Sequence, residues 1–290
     1  VPYPEEAYQS VARITQEIRF GWYIRSLHRW ASNFLIVALI LHMLRVYFTG
    51  AYRHPRQLNW IIGCFLFFLA VTFGFTGYSL VFEQQSYWAA VVAANLTEGA
   101  PIIGPTLAYF MRGGPEVGVN TLTRFYILHI GLLPTLSFIL ILLHIFLIRL
   151  HGVTELYFHG VEIKKEKRFF KFFPDHAISE LIIGMILLYL LTILALIYPI
   201  GLGPPADPSI TPEHIKPEWY FYSNFRLLKL TSLNVMYLSV LFFGLVLLFW
   251  PFIEETLQKK FKFPELVSVI IGIVFFLIIT IFTVWESFST

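Results

Sequence analysis

Cysteine and charge are the two things this sequence has least of. A single cysteine, Cys64, excludes an internal disulfide and any metal site built from thiolates alone. Its neighbours Gly63, Phe67 and Ala70 make it a packing residue. Charged side chains are 13% of the 290 residues, against about 25% in an ordinary soluble domain, so a water-facing surface of normal polarity is excluded. The first 20 residues lack the basic start and apolar centre of a signal peptide. Pro2, Pro4 and the pattern "SVARITQEI" instead predict an amphipathic helix lying at a membrane interface. Internal repeats and low-complexity tracts are also missing.

What fills the chain is hydrocarbon: 57% of the residues are hydrophobic. Crossing an apolar slab of about 30 Å takes about 20 apolar residues in a helix. Six runs meet that length, near 27–48, 58–82, 124–150, 178–200, 233–253 and 265–286. An isolated segment in lipid must satisfy its own backbone, and the alternation of a barrel strand is not seen, so all six are expected to be helices. The fold class is therefore an all-α transmembrane bundle. The expected division is 1–150, a polar connector at 151–177, and 178–290. Lysine and arginine cluster after the first, third and fifth spans, at Arg53 and Arg56, at Lys164, Lys165, Lys167, Arg168 and Lys171, and at Lys259, Lys260 and Lys262. The positive-inside rule puts these three loops in the cytoplasm. The long loops 83–121 and 201–232 then face outward; loops of that length often carry function.

Four histidines stand out against this apolar background. His28 and His42 are fourteen residues apart in the first span, and His129 and His144 fifteen apart in the third. Fourteen helical steps return to within about 40° of the starting direction and fifteen to within about 60°, so each helix shows both imidazoles on one side, roughly 21 Å apart. The two helices run in the same direction, which sets His28 level with His129 and His42 level with His144. Two facing imidazoles at two depths are what bis-histidine ligation of two haems requires. Zinc or copper would want three or four convergent ligands, with no carboxylate or thiolate at these depths. A lone membrane histidine is ordinarily a hydrogen-bonding residue; four at matched depths are harder to explain in that way.

Two further patterns follow the same spacing. Gly63 and Gly77 in the second span are also fourteen apart, as expected where two flat groups approach one backbone at two heights, although small residues also serve helix packing. Arg25 precedes His28 by three residues and Arg45 follows His42 by three. Each is placed to grip a haem carboxylate with two hydrogen bonds, or to snorkel to the interface.

The loop "GPPADPSITPEHIKPEWYFYSNFRLLK" contains Pro217-Glu218-Trp219-Tyr220, which resembles the PEWY signature of cytochrome b in quinol-oxidising cytochrome bc complexes, including the chloroplast-type bf complexes. The first half is similar to their haem-binding half through "FGWYIRSLHRW", "LHMLRVYFTG", "TGYSL", "TLTRFYILH" and "LLHIFLIR". The fifteen-residue His129 to His144 spacing is the chloroplast-type count, while the single chain continues into helices that those complexes place on a separate subunit; it resembles a bacterial fusion of the two. Family members carry a further transmembrane helix before this stretch, and chloroplast-type members an extra haem attached through a cysteine of that helix; the present residues decide neither point. Val81 stands where the family's "GYSLP" has proline.

The resemblance implies two b haems, the outer between His28 and His129 and the inner between His42 and His144. It implies an outer quinone site in which Glu218 accepts a proton, with Tyr220 acting beside it and Tyr78, Pro217 and Phe225 shaping the pocket. It also implies an inner quinone site, for which Arg149, His151, Asp175 and Glu180 are candidates. A Rieske iron–sulfur protein, a c-type cytochrome, a homodimeric complex and membrane lipid are the implied partners, with no nucleic acid, in a bacterial inner membrane. Two other readings stay open on the residues alone: a di-haem membrane anchor of a quinone-linked dehydrogenase, and a transporter whose histidines relay protons or bind a metal. The topology has a direct check. Cysteines introduced at Lys165 and at Glu98 should be labelled from opposite sides of sealed vesicles, and labelling from the same side would overturn the orientation.

Overall fold

The computed structural model describes residues 3–154 and 171–289. Among these residues it is helical throughout its regular structure, and six helical segments are long and apolar enough to span a membrane. The cationic cluster at Lys164, Lys165, Lys167 and Arg168 lies outside the described residues. The helices are α1 (Pro4–Gln16), α2 (Gly21–Phe48), α3 (Gln57–Ser79), α4 (Gln84–Glu98), α5 (Gly104–Arg112), α6 (Val119–Ile127), α7 (Leu133–His151), α8 (Ala177–Ile197), α9 (Tyr222–Leu230), α10 (Leu233–Phe261) and α11 (Glu265–Phe288). The spans are α2, α3, α6 with α7, α8 with its short lead-in, α10 and α11. The expected interfacial helix is α1, which lies against α2.

One expected helix differs in detail. The third span is continuous from Val119 to His151 but passes through a π turn at Leu128–Leu132, where the N–H of Leu133 reaches back to the carbonyl of Leu128. The cause is local: Pro134 has no N–H for the carbonyl of Ile130, and its ring would press on that carbonyl in a regular helix. A π turn adds one residue to the helix. Fifteen residues from His129 to His144 therefore cover nearly the turn and rise that fourteen cover in α2.

α3 is the central strut, packing against α2, α7 and α10. Its contact with α10 depends on a second proline. Pro251, inside α10, leaves the carbonyl of Leu247 without its helical partner, and the indole Nε1 of Trp60 on α3 donates to that oxygen at 2.8 Å. α8 docks on α2, where the hydroxyls of Tyr23 and Thr192 meet at 3.0 Å and Trp30 Nε1 donates to the Tyr198 carbonyl at 3.1 Å. Its remaining faces carry exposed Leu181, Ile182, Met185 and Leu188, the surface that a lipid-facing helix presents.

At the end of the bundle where α2 turns into α3, buried Glu254 of α10 joins the two halves of the chain. Its carboxylate accepts from Tyr52 Oη at 2.9 Å, from Arg53 Nε and Nη2 at 3.0 and 2.9 Å, and from Ser268 Oγ at 2.6 Å. Arg53 also reaches Glu265 at 2.7 Å, and Trp250 Nε1 donates to Tyr52 Oη at 3.0 Å. The hydrogen bonds to Glu254 raise the Arg53 pKa further, and burial raises that of the Tyr52 phenol, so both remain protonated donors at any ordinary pH. A buried carboxylate is tolerable only when paired and hydrogen-bonded this fully. Glu254→Ala should therefore cost about 3–5 kcal/mol, seen as a lower unfolding midpoint of the purified protein. Glu255→Ala, one residue along and half-buried, with Lys259 and the Gln57 amide as partners, should lower the midpoint far less.

Candidate functional site

The four histidines form two layers, paired as their spacing predicts. His28 of α2 faces His129 of the π turn with ring centroids 6.3 Å apart, and His42 faces His144 of α7 at 6.4 Å. The ring planes are crossed, at 85° and 71°. These separations are too long for hydrogen bonds between the imidazoles. They would leave room for one metal ion between the rings of each pair: with metal–nitrogen bonds of about 2.0–2.1 Å, and the nitrogen about 1.1 Å from its ring centre, two ligating imidazoles would have centroids roughly 6.3 Å apart.

The outer layer also shows how a ring is prepared as a ligand. Thr76 Oγ1 uses its proton on the backbone of its own helix, at 2.9 Å from the Thr72 carbonyl, and sits 3.1 Å from His129 Nδ1. The hydroxyl oxygen is then free to accept from Nδ1–H, which fixes the tautomer that leaves the Nε2 lone pair for a metal. At the inner layer His144 Nδ1 is buried without a partner.

Gly63 and Gly77, two of the three glycines of α3, each face a histidine ring of the third span. A Cβ on Gly77 would stand 2.6 Å from Cε1 of His129, and one on Gly63 would stand 3.5 Å from Cε1 of His144. Gly77 is therefore required by the ring itself, whereas Gly63 leaves ordinary contact distance. The two arginines have different environments. Arg45 lines an inner cavity of about 310 Å³ together with His42, Gly63, His144, Arg56 and Asn59. Arg25 is committed to the backbone after α8, donating to the carbonyls of Ile200 and Gly201 at 2.9 and 3.0 Å. Those carbonyls follow a helix end, where acceptors lack helical donors.

An outer pocket of about 290 Å³ opens between α3, α4 and the loop before α9. Tyr78, Pro217, Glu218 and Phe225 line it, as expected. Tyr220 does not. The 3₁₀ turn Trp219–Phe221 sends Phe221 to the pocket, while Tyr220 turns to α3, where its hydroxyl occupies the space opened by Gly74. That hydroxyl is buried without a partner; burial, then the charge of Glu218, raises its pKa and keeps it protonated.

The residue missed from the sequence is Arg29. It follows His28 directly, so it points about 100° away from the imidazole stripe. Its Nη2 meets both oxygens of Glu218 at 2.6 and 2.8 Å, and its guanidinium lies 5.5 Å from the centre of the Tyr78 ring. Trp219 Nε1 donates to Asn33 Oδ1 of α2 at 2.7 Å and holds the same segment. An arginine inside an apolar span was the available signal.

The inner quinone candidates are not brought together. Arg149 is exposed, the His151 carbonyl is 3.5 Å from Arg56 Nη2, Asp175 is exposed, and Glu180 faces His176 at 4.0 Å. None of the four lines the inner cavity. Among the described residues, three or more His, Cys, Asp or Glu nowhere converge as a metal cluster.

The glycines provide the test of these layers. Gly77→Ala should displace the His129 ring and abolish or strongly shift any visible absorbance that depends on the His28–His129 pair, while Gly63→Ala should perturb any that depends on His42–His144 less. Equal effects would contradict the ring contacts described.

Comparison with known proteins bears on the whole chain. Residues 33–205 match the family model described as Cytochrome b(N-terminal)/b6/petB, and residues 205–288 match Cytochrome b(C-terminal)/b6/petD. A cytochrome bc complex cytochrome b subunit of Chlorobaculum thiosulfatiphilum is 36% identical over 293 aligned positions, covering 99% of this chain and 68% of that protein. Cytochrome b6 of Heliomicrobium gestii is 47% identical over 154 positions, 53% of this chain and 72% of that one. A solved hyperthermophilic respiratory Complex III chain superposes with a TM-score of 0.78 at 25% identity, covering 98% of this chain and 83% of its own. With both family models end to end on one bundle, and four histidines facing in two layers, this chain is a multi-pass membrane protein that belongs to the cytochrome b family of cytochrome bc complexes.

Proposed function

We propose that this chain is the quinol-oxidising, electron-carrying subunit of a bacterial cytochrome bc complex. It acts with a Rieske iron–sulfur protein and a c-type cytochrome, as a homodimeric complex in the inner membrane. Membership of the family implies b-haem binding and electron transfer from quinol. The finer assignments are two haems, the outer on His28 and His129 and the inner on His42 and His144, with quinol taken in the outer pocket. When bound, the haems supply one-electron carriers at two depths.

The observation that carries the outer assignment is the Arg29–Glu218 pair, set in the wall of an apolar pocket one residue beyond a haem-ligand candidate. Phe75, Phe221 and Phe225 shape a slot for an apolar ring and restrict water. Glu218 is nearly buried, and both of its oxygens are held by Arg29. This charge-assisted grip fixes the carboxylate on Arg29 at the edge of the pocket. To accept from a quinol hydroxyl, one oxygen must leave Arg29 and turn to the pocket. Once protonated, the carboxyl loses its charge and most of its attraction to Arg29, so it is free to carry the proton away from the bound ring; losing that proton re-forms the pair. Arg29 is held against Tyr78 through the cycle.

Glu218→Gln should leave both haems assembled and lower steady-state quinol oxidation by about 10²-fold or less, within the lower part of the range for general acid–base groups, with an altered pH profile. Unchanged turnover and pH dependence would make Glu218 a structural part of the loop and remove it as the proton acceptor.

A further inference from the structure

The loop before α9 and α9 itself, one side of the outer pocket, are tied to the end of α11. The first tie runs through α9, a helix with two working faces. Asn224, Phe225 and Leu228 line the pocket. Arg226 and Lys229 point away from it to Glu286: Lys229 Nζ donates to Oε1 at 2.6 Å, and Arg226 Nη1 stands 3.7 Å from Oε2. Arg226 also lies flat on the Trp285 ring at 3.6 Å. The second tie is Lys216, immediately before Pro217, whose ammonium donates to the carbonyl of Ser289 and reaches that of Glu286 at 3.5 Å.

Glu286 is fully buried, yet nothing in the quinol chemistry uses it. A carboxylate placed there needs another reason. α9 has nine residues and begins without a side-chain cap, so it has little helical stability of its own. Its position must come from contacts, and the densest of these are with α11, where its two charged side chains converge on Glu286 and Arg226 also meets Trp285. Buried ion pairs add little net stability, but breaking one leaves an uncompensated charge and forces the surroundings to shift. A shift of α9 moves Phe225 and Leu228, which form the pocket wall.

We propose that Glu286 is a positioning residue for quinol oxidation: through Lys229 and Arg226 it sets the angle of α9, and so the shape of the pocket that holds the quinol ring. The inference rests on the outer pocket being the quinol site. It separates Glu286 from Glu218, since one shapes the pocket and the other handles the proton.

The test uses the whole complex in membranes. In Glu286→Gln both haem spectra should be unchanged and kcat should stay near that of the parent, while KM for quinol rises about fivefold or more, the factor expected from a modest loss of fit. Glu286→Asp should recover much of the loss because it keeps the charge. Lys229→Met should raise KM in the same direction by a smaller factor, with Arg226 still paired. Phe225→Ala distinguishes the two readings, because its KM must rise if the pocket holds quinol. A raised KM in Phe225→Ala with an unchanged KM in Glu286→Gln overturns the role of Glu286 alone. An unchanged KM in Phe225→Ala overturns the pocket assignment and the inference with it. A fall in kcat at constant KM in Glu286→Gln also overturns positioning. If Glu286→Gln fails to assemble, Lys229→Met decides, and an unchanged KM there rejects the proposal.

Discussion

The structure depends on holding two helices far enough apart for two pairs of imidazoles to face each other across a gap, with ring centroids 6.3 and 6.4 Å apart. Inside a bilayer, apolar helices have no reason to keep such a gap, because lipid and protein are equally apolar and packing favours closure. α3 maintains it. It packs on both α2 and α7 and meets the His129 ring with a glycine at Gly77. The π turn at Leu128–Leu132 then brings His129 and His144 into phase with His28 and His42. Each of these features would be a weak signal alone. Together they place two imidazole pairs about as far apart as one ion apiece requires.

Among the described residues, the buried carboxylates lie near the ends of the bundle and are paired there. Glu254 secures one end, where the loop after α2 meets α10 and α11. Arg29 with Glu218, and Glu286 with Lys229 and Arg226, do the same near the outer face. The three carboxylates differ in what surrounds them. Glu254 is enclosed by four donors from three side chains and faces no cavity among those described, so it is structural. Glu218 has one partner and faces an apolar pocket, which makes its pairing reversible and suited to proton transfer.

Much of this was legible in the residues. The six spans, the interfacial α1 and the pairing of His28 with His129 and His42 with His144 follow from hydropathy and from a helical period that is fixed by covalent geometry. The glycines could be read for the same reason, since their spacing copies that of the histidines. Arg45 and Arg25 were not distinguishable in the sequence, because only the fold puts Arg45 on the inner cavity and supplies the Ile200 and Gly201 carbonyls that occupy Arg25.

The sequence by itself determined which residues share a helix face and at what depth, because one helix in lipid has a fixed rise and turn and must satisfy its own backbone. The tertiary structure alone decided which side chains from distant segments meet. Arg29 and Glu218 are separated by 189 residues, Tyr52 and Glu254 by 202, and Lys229 and Glu286 by 57. It also turned Tyr220 out of the pocket and put Phe221 in, a choice made by a single 3₁₀ turn and the space left at Gly74. Periodicity describes each helix separately, whereas these contacts depend on the lateral packing of helices, which leaves no regular trace along the chain.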